Sequence, residues 1–287
     1  MIPKKIFQTH KSIEYVNSNT ELVNAVISWK KNTDYEYHFY DDQQCEDFMK
    51  TYYPDIKPYY DILPINVMKA DLWRYCIIYK YGGIYADVDT ILNSDIDIFT
   101  DKKDKQLVIV PENDTHFCQW VFSAPSGSPF LKEIIDLLVE RIKTNDIKGE
   151  HIIHFLTGPC VFSDGIINHL RKIQRPVTNN YIPYKTYKDE VMHNGLKTYK
   201  PSRNIFSYED NKINEIHVFN HSIFHRENVI HLFSGQWEDG WTHQRDKQLN
   251  IDDIDILNKS NAYSINYRYF MISIIFIVLL LLLFKFM

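Results

Sequence analysis

Two aspartates one residue apart, Asp87 and Asp89, are the residues of this sequence best suited to do chemistry. They lie in the stretch IYADVDTIL, which predicts a buried strand running into a polar end. Side chains at i and i+2 of a strand share one side, so the two carboxylates would repel each other unless a cation lay between them or one were protonated. A hard divalent cation is the natural partner, and Mg²⁺ or Mn²⁺ held this way usually shares its ligands with substrate phosphates. A solvated turn is the alternative for an isolated D-x-D.

A second charged pair, Asp71 and Arg74, precedes the aspartates. The stretch NVMKADLWRYCIIYKY, residues 66–81, predicts a helix that ends at Gly82 in the left-handed conformation. Residues three apart lie on one helix face, so Asp71 and Arg74 are able to form an ion pair. Next to an aspartate pair at a sheet edge, they indicate instead hydrogen-bonding groups for a polyhydroxylated ligand.

The elements that must position these residues alternate between strands and helices. The opening of the chain predicts a strand over 2–9, a helix after Thr20, a strand over 35–40 and a helix from Asp41 to Tyr53. This order predicts an α/β fold with a mostly parallel central sheet. Ligands of such sheets bind at the carboxyl ends of the strands, which is where the aspartate pair is expected.

Composition excludes several classes of protein. The 287 residues are 45% hydrophobic and 24% charged, which is typical of a globular chain and not of a disordered one. The net charge of −5 has the wrong sign for a broad nucleic-acid-binding surface. The four cysteines are widely spaced with no CxxC pair, which argues against a zinc ribbon or a disulfide scaffold.

The C-terminal stretch predicts a membrane anchor. Residues 269–284 read YFMISIIFIVLLLLLF, and a helix of that length spans roughly 24 Å, a little short of the ~30 Å hydrocarbon core of a bilayer. We therefore expect a catalytic domain over 1–245, an acidic linker over 246–268 and a single transmembrane helix over 269–286. The opening MIPKKIFQTH lacks the apolar core of a signal peptide, so a cytosolic catalytic domain is expected.

The stretch KADLWRYCIIYKYGGIYADVDT, residues 69–90, resembles the signature of glycosyltransferase family 32. This DXD-motif sugar-binding family includes fungal α-1,6-mannosyltransferases and inositol-phosphorylceramide mannosyltransferases. Five further stretches resemble the family in the same order: IPKKIFQTHKS, YEYHFYDD, APSGSPF, TGP and HLFSGQW. The resemblance covers nearly all of residues 1–241 and implies a GT-A-type nucleotide-sugar-binding fold.

The resemblance also implies roles for individual residues. Asp89, Asp87 and His231 would hold the metal, Mn²⁺ or Mg²⁺. Asp71 and Arg74 would hold the hydroxyl groups of the donor sugar, and Asp87 would contact the ribose. Asp89, Asp87 and Arg74 would form the catalytic set.

Three more donor-binding residues follow from the resemblance. Trp237 would lie in a flap that closes over the diphosphate. Gln236 stands where the family's G-S-W motif has serine, and keeps a hydrogen-bond donor there. His10 stands where the family commonly has a tryptophan, and would offer a smaller platform to the nucleotide base.

The function implied is that of a metal-dependent, retaining glycosyltransferase. It would move a hexose, with mannose favoured, from GDP-mannose or a UDP-hexose to a glycan, lipid or protein acceptor. The alternative is a non-catalytic, membrane-anchored subunit that binds sugar nucleotides or glycans with the same fold. The intact set of Asp71, Arg74, Asp87 and Asp89 favours the enzyme.

Overall fold

A computed structural model describes residues 1–144, 152–177, 202–209, 213–233 and 249–259. The strands are β1 Lys5–Thr9, β2 Glu36–Tyr40, β3 Gly83–Ala86, β4 Thr90–Leu92, β5 Leu107–Ile109, β6 Pro111–Asn113, β7 His116–Phe117, β8 Val121–Ala124, β9 Ile216–Val218 and β10 Val229–His231. The principal helices are α1 Ile13–Asn17, α2 Thr20–Lys30, α3 Asp42–Tyr52, α4 Lys57–Asp61, α5 Asn66–Tyr81, α6 Pro129–Thr144 and α7 Pro159–Lys172. Shorter 3₁₀ or π turns cover Ile96–Phe99, Ile153–Thr157, Ile205–Tyr208 and Phe224–Asn228, and one helical turn covers His221–Ile223.

The central sheet has the strand order β2-β1-β3-β8-β5-β9. Strand β1 pairs in parallel with β2 and β3, and β5 pairs in parallel with β9, whereas β8 is antiparallel to both of its neighbours. Two small antiparallel pairs, β4 with β10 and β6 with β7, complete the strands. The expected α/β fold with a mostly parallel sheet is confirmed.

Side-chain alternation along the central strands builds a core on each face of the sheet. Ile6 and Ile84 lie side by side in neighbouring strands and pack on one face, together with Trp29 of α2. Their chain neighbours Phe7 and Tyr85 point to the opposite face, where they pack with helices α3, α5, α6 and α7. All five side chains are at most 2% exposed. The four on strands alternate between the two faces, as expected for strands that are buried on both faces.

The stretch predicted as one strand over 84–92 is divided into two strands in different sheets. Residues 87–89 form a turn between β3 and β4, and the turn is closed by the Thr90 N–H, which donates to the Asp87 carbonyl over 3.2 Å. The Thr90 hydroxyl donates to the same carbonyl over 2.6 Å. Asp87 and Asp89 therefore lie in a turn at the carboxyl end of β3, and not on one side of a continuous strand.

Two glycines let β3 start directly after α5. Gly82 has a φ of +66° with a ψ of 177°, so it does not adopt the left-handed helical conformation that the sequence predicts. Gly83 has a φ of +114°, and a Cβ atom there would lie 2.7 Å from the Lys5 carbonyl oxygen of β1. Glycine allows both the unusual backbone and the close approach of the two strands.

Part of the expected linker packs against the domain. Residues 251–259 are helical, and Leu249 and Ile254 are 7% and 2% exposed within the core. The Asn258 amide donates to the Lys143 carbonyl of α6 over 3.1 Å. This stretch is therefore not wholly solvated, because its apolar residues cover the helical layer beside α6.

The expected transmembrane helix over 269–286 lies outside the described residues. Within the described part of the chain, no helix combines the length and the apolar character needed to cross a bilayer.

We predict that Gly83→Ala destabilises the protein by about 2–3 kcal/mol, because it adds a steric clash with the β1 backbone to the cost of a positive φ. Gly127→Ala is the matched control, since Gly127 also has a positive φ, +73°, but nothing lies within 4 Å of its added Cβ. The control should lose only about 1 kcal/mol. Chemical denaturation of both variants measures the difference, and equal losses would contradict the close-approach argument.

Candidate functional site

The two aspartates meet His231 at the edge of the central sheet. Strand β10 pairs antiparallel with β4 so that His231 lies opposite Thr90. The backbone N–H of Leu232 also donates to the Asp89 carbonyl over 2.8 Å. The imidazole Nε2 is consequently 3.5 Å from Asp89 Oδ1 and 4.0 Å from Asp87 Oδ2. One ligand atom from each of the three side chains lies within 4.8 Å of the others.

The three side chains offer ligand atoms that suit a small divalent cation. Carboxylate oxygens are the preferred ligands of Mg²⁺ and Mn²⁺, and an added imidazole suits Mn²⁺ or another transition ion. Burial and the neighbouring Asp89 charge raise the pKa of Asp87, while the Arg74 guanidinium opposes the rise. Two ionised carboxylates this close together would be stabilised by a divalent cation between them. His231, Asp87 and Asp89 are the residues that would bind that cation.

Arg74 links the aspartate turn to helix α5. Its Nη2 atom lies 3.2 Å from Asp71 Oδ1 and 3.2 Å from Asp87 Oδ1, and its side chain is 4% exposed. The guanidinium also lies over the Tyr85 ring, with Cζ 4.6 Å from the ring centroid. Burial lowers the pKa of Arg74, but the carboxylate charges of Asp87 and Asp71 raise it by more, so the group stays charged. The Arg74 guanidinium therefore holds two carboxylates that lie on different elements, helix α5 and the turn after β3.

Asp71, on α5, is completely buried and is held by the turn Ile153–Thr157. The Thr157 hydroxyl donates to Asp71 Oδ2 over 2.8 Å. Burial raises the pKa of Asp71 to about 6, against the charge of Arg74 and the hydrogen bond from Thr157. The carboxylate is thus costly to keep ionised and is stabilised by groups that meet only in the folded protein.

The structure adds residues that sequence reasoning missed. The Tyr85 hydroxyl donates to Asp87 Oδ1. Trp120 packs its ring on His231 with centroids 4.8 Å apart, and its carbonyl accepts from the Asp87 N–H over 2.8 Å. The sequence could have identified Tyr85 as a site residue, because it precedes Asp87 by two residues. The sequence could not have identified Trp120, because its position depends on the pairing of β8 with β3.

The remaining predicted donor-binding residues are only partly described. His10 follows β1 at the same edge of the sheet, and its ring stacks on Tyr15 with centroids 4.8 Å apart. The backbone N–H of His10 donates to the Tyr40 carbonyl. Gln236 and Trp237 lie outside the described residues. The structure thus brings Asp71, Arg74, Asp87, Asp89 and His231 together.

Comparisons with known proteins agree with this geometry. Residues 4–108 match the family described as "Glycosyltransferase sugar-binding region containing DXD motif". This stretch contains Asp71, Arg74, Asp87 and Asp89.

Three curated relatives are similar to the chain. An initiation-specific alpha-1,6-mannosyltransferase of Candida albicans is 27% identical over 83% of this chain and 72% of its own length. A protein of the same name from Schizosaccharomyces pombe is 29% identical over 64% of this chain and 54% of its own. Inositol phosphoceramide mannosyltransferase 3 of S. pombe is 40% identical over 33% of this chain and 26% of its own.

The matched region carries the aspartate turn and the buried ion pair, and similarity to the two α-1,6-mannosyltransferases extends well beyond it. Residues 4–108 are thus identified as a glycosyltransferase sugar-binding region with a DXD motif, which confirms the expected glycosyltransferase, and the similarity to the two α-1,6-mannosyltransferases agrees with the resemblance to glycosyltransferase family 32.

Proposed function

We propose that this glycosyltransferase is metal-dependent and transfers mannose, with retention of configuration, from GDP-mannose to a glycan or lipid acceptor. The observation that carries the proposal is the meeting of Asp87, Asp89 and His231 within 4.8 Å, directly beside the Arg74–Asp71 pair. A cation site next to buried hydrogen-bonding groups is suited to a diphosphate joined to a sugar.

Breaking a glycosyl–phosphate bond leaves negative charge on the diphosphate, and a bound divalent cation would supply Lewis-acid stabilisation of that charge. In this chain Asp87, Asp89 and His231 would hold the cation. Following the family resemblance, Arg74 would donate to the hydroxyl groups of the donor sugar, with its guanidinium oriented by the buried Asp71. Their fixed geometry would orient the sugar and exclude water from it.

The names of the relatives support mannose as the transferred sugar. Two of them are called alpha-1,6-mannosyltransferases and one an inositol phosphoceramide mannosyltransferase. These names support a glycan and a lipid as the two acceptor classes. A UDP-hexose is the alternative donor, and hydrolysis of a panel of nucleotide sugars in the presence of Mn²⁺ distinguishes them. Donor binding without turnover would favour the non-catalytic subunit instead.

We predict that Asp89→Asn lowers the rate of transfer at least about 100-fold, because the amide is a poorer ligand and removes a charge that faces the cation. Asp89 is in a turn and not in the hydrophobic core, so the melting temperature should change little. Asp101→Asn, at an exposed position, is the control and should behave as the wild type. Wild-type turnover of Asp89→Asn at limiting Mn²⁺ would contradict the metal assignment.

We predict that Arg74→Lys reduces kcat/KM for the donor about 10- to 100-fold, since a lysine keeps the charge but does not reproduce the planar contacts to two carboxylates. Arg74→Ala is less informative, because an unpaired buried carboxylate costs about 3–5 kcal/mol of stability. Arg226→Lys is the control, as Arg226 is 73% exposed and pairs with its neighbour Glu227. Equal kinetics for Arg74→Lys and the wild type would leave Arg74 with a structural role alone.

We also propose that residues 269–286 anchor the enzyme in a membrane. Truncation after residue 265 should give a soluble domain that retains donor hydrolysis, because Leu249 and Ile254 still cover the core. Truncation after residue 248 is the comparison, and it should be less stable because it removes those two buried side chains. Full-length protein should resist carbonate extraction from membranes. If the full chain is soluble without detergent, the anchor assignment is wrong.

A further inference from the structure

Gln8 lies in the middle strand of the parallel part of the sheet, beside the aspartate turn. It belongs to β1, which has β2 on one side and β3 on the other. Its side chain is 0% exposed, so it can act on a bound ligand only through the residues that it contacts. A buried amide needs partners for both its NH₂ group and its oxygen, so the hydrogen bonds of Gln8 define which groups it positions.

The amide of Gln8 joins strand β2 to the aspartate turn. Its Nε2 atom donates to the Asp87 carbonyl over 3.1 Å. Its Oε1 atom accepts from the Tyr37 hydroxyl of β2 over 2.7 Å. Because a backbone carbonyl only accepts, the NH₂ group of the amide must be the one that faces Asp87. Burial raises the pKa of Tyr37, so the phenol keeps its proton and donates to the amide oxygen.

Two chains of hydrogen bonds meet at the Asp87 carbonyl. The first runs from the Tyr37 hydroxyl through the Gln8 amide. The second runs from the indole N–H of Trp29 to the Thr90 hydroxyl, over 3.1 Å, and from that hydroxyl to the carbonyl. Strands β1 and β2 and helix α2 are thus all connected to one carbonyl oxygen of the turn.

The direction of this carbonyl fixes the geometry of the aspartate turn. The carbonyl belongs to the planar peptide between Asp87 and Val88, so holding it restricts the ψ angle of Asp87. That angle sets where Asp89 lies relative to Asp87. Two ligands of one cation need a relative position that is kept to within about 0.5 Å, so a constraint on this peptide acts on the cation site.

We propose that Gln8 is a positioning residue that holds the aspartate turn, residues 87–89, in the geometry that binds the divalent cation. Glutamine suits this place because it donates to the carbonyl and accepts from the phenol at the same time. Methionine has a similar length but can do neither, and an ionised glutamate would set an acceptor against the carbonyl. The proposal rests on the proposed function, in which Asp87 and Asp89 are metal ligands.

The first test is the affinity of the donor-free, full-length protein for Mn²⁺, measured by electron paramagnetic resonance. Gln8→Met should lower it about 10- to 100-fold, the range for outer partners of metal ligands. Ser123→Ala is the matched control, because Ser123 is also 0% exposed in the central sheet and its hydroxyl donates to the Phe99 carbonyl over 2.7 Å. The control should bind Mn²⁺ as the wild type does. Wild-type affinity in Gln8→Met, or an equal loss in the control, would overturn the proposal.

Hydrogen–deuterium exchange tests the turn in the absence of any metal. The Thr90 N–H donates to the Asp87 carbonyl, so the peptide over 87–92 should exchange about 10-fold faster in Gln8→Met, while α6 keeps its wild-type rate. If the wild type binds no Mn²⁺, the proposed metal dependence is rejected, and the exchange rate still decides whether Gln8 holds the turn. Unchanged exchange of this peptide would overturn the proposal whatever the Mn²⁺ result.

A second variant separates the cation site from overall stability. Gln8→Met removes the acceptor of the Tyr37 hydroxyl, and an unpaired hydroxyl that is largely out of solvent costs stability by itself. Combining Gln8→Met with Tyr37→Phe removes that hydroxyl, so chemical denaturation should show a more stable protein than the single variant. Its Mn²⁺ affinity should stay as low as that of Gln8→Met. Recovery of wild-type affinity in the double variant would assign the loss to stability and contradict a positioning role.

Discussion

The buried guanidinium of Arg74 is the interaction on which the site depends. A charge removed from water is tolerated only where opposite charges and hydrogen bonds surround it. Here Asp71 and Asp87 each lie 3.2 Å from one nitrogen of Arg74, and the Gln119 carbonyl accepts from the other terminal nitrogen. Helix α5, the turn after β3 and the approach to β8 must therefore come together around this one group.

The same arrangement crowds three carboxylates together. Within the described residues, Asp71 and Asp87 both pair with Arg74, Asp89 lies beside His231, and burial raises the pKa of both Asp71 and Asp87. Such a site favours a ligand that carries its own cation, as a metal-bound nucleotide diphosphate would. Stability and donor binding are then linked, because the groups that are costly to bury are those that the ligand would neutralise.

The turn between β3 and β4 makes this geometry possible. By leaving the central sheet after Ala86, the chain frees β4 to pair with β10. The indole N–H of Trp29 fixes the start of β4 by donating to the Thr90 carbonyl over 2.9 Å. A continuous strand through residue 92 would have kept the aspartates in the sheet ladder, whereas the turn releases their side chains toward His231.

Local sequence determined a large part of this protein. The opening strands and helices, helix α5 and the Asp71, Arg74, Asp87 and Asp89 motif were predictable, because periodicity, caps and short spacings act within a few residues. The motif residues from Asp71 to Asp89 are joined by one helix and one strand, so their proximity follows from local geometry. The position of His231 beside them was predicted only from the family resemblance.

Tertiary structure alone decided the rest. The pairing of β4 with β10, the contact of Gln119 with Arg74 and Tyr75, and the packing of Leu249 and Ile254 on the domain all join residues far apart in the chain. Spacing and hydropathy do not encode such contacts, because they depend on which strands pair and in which register. The physical reason is that a buried polar group is satisfied by whichever segment the folded sheet brings to it.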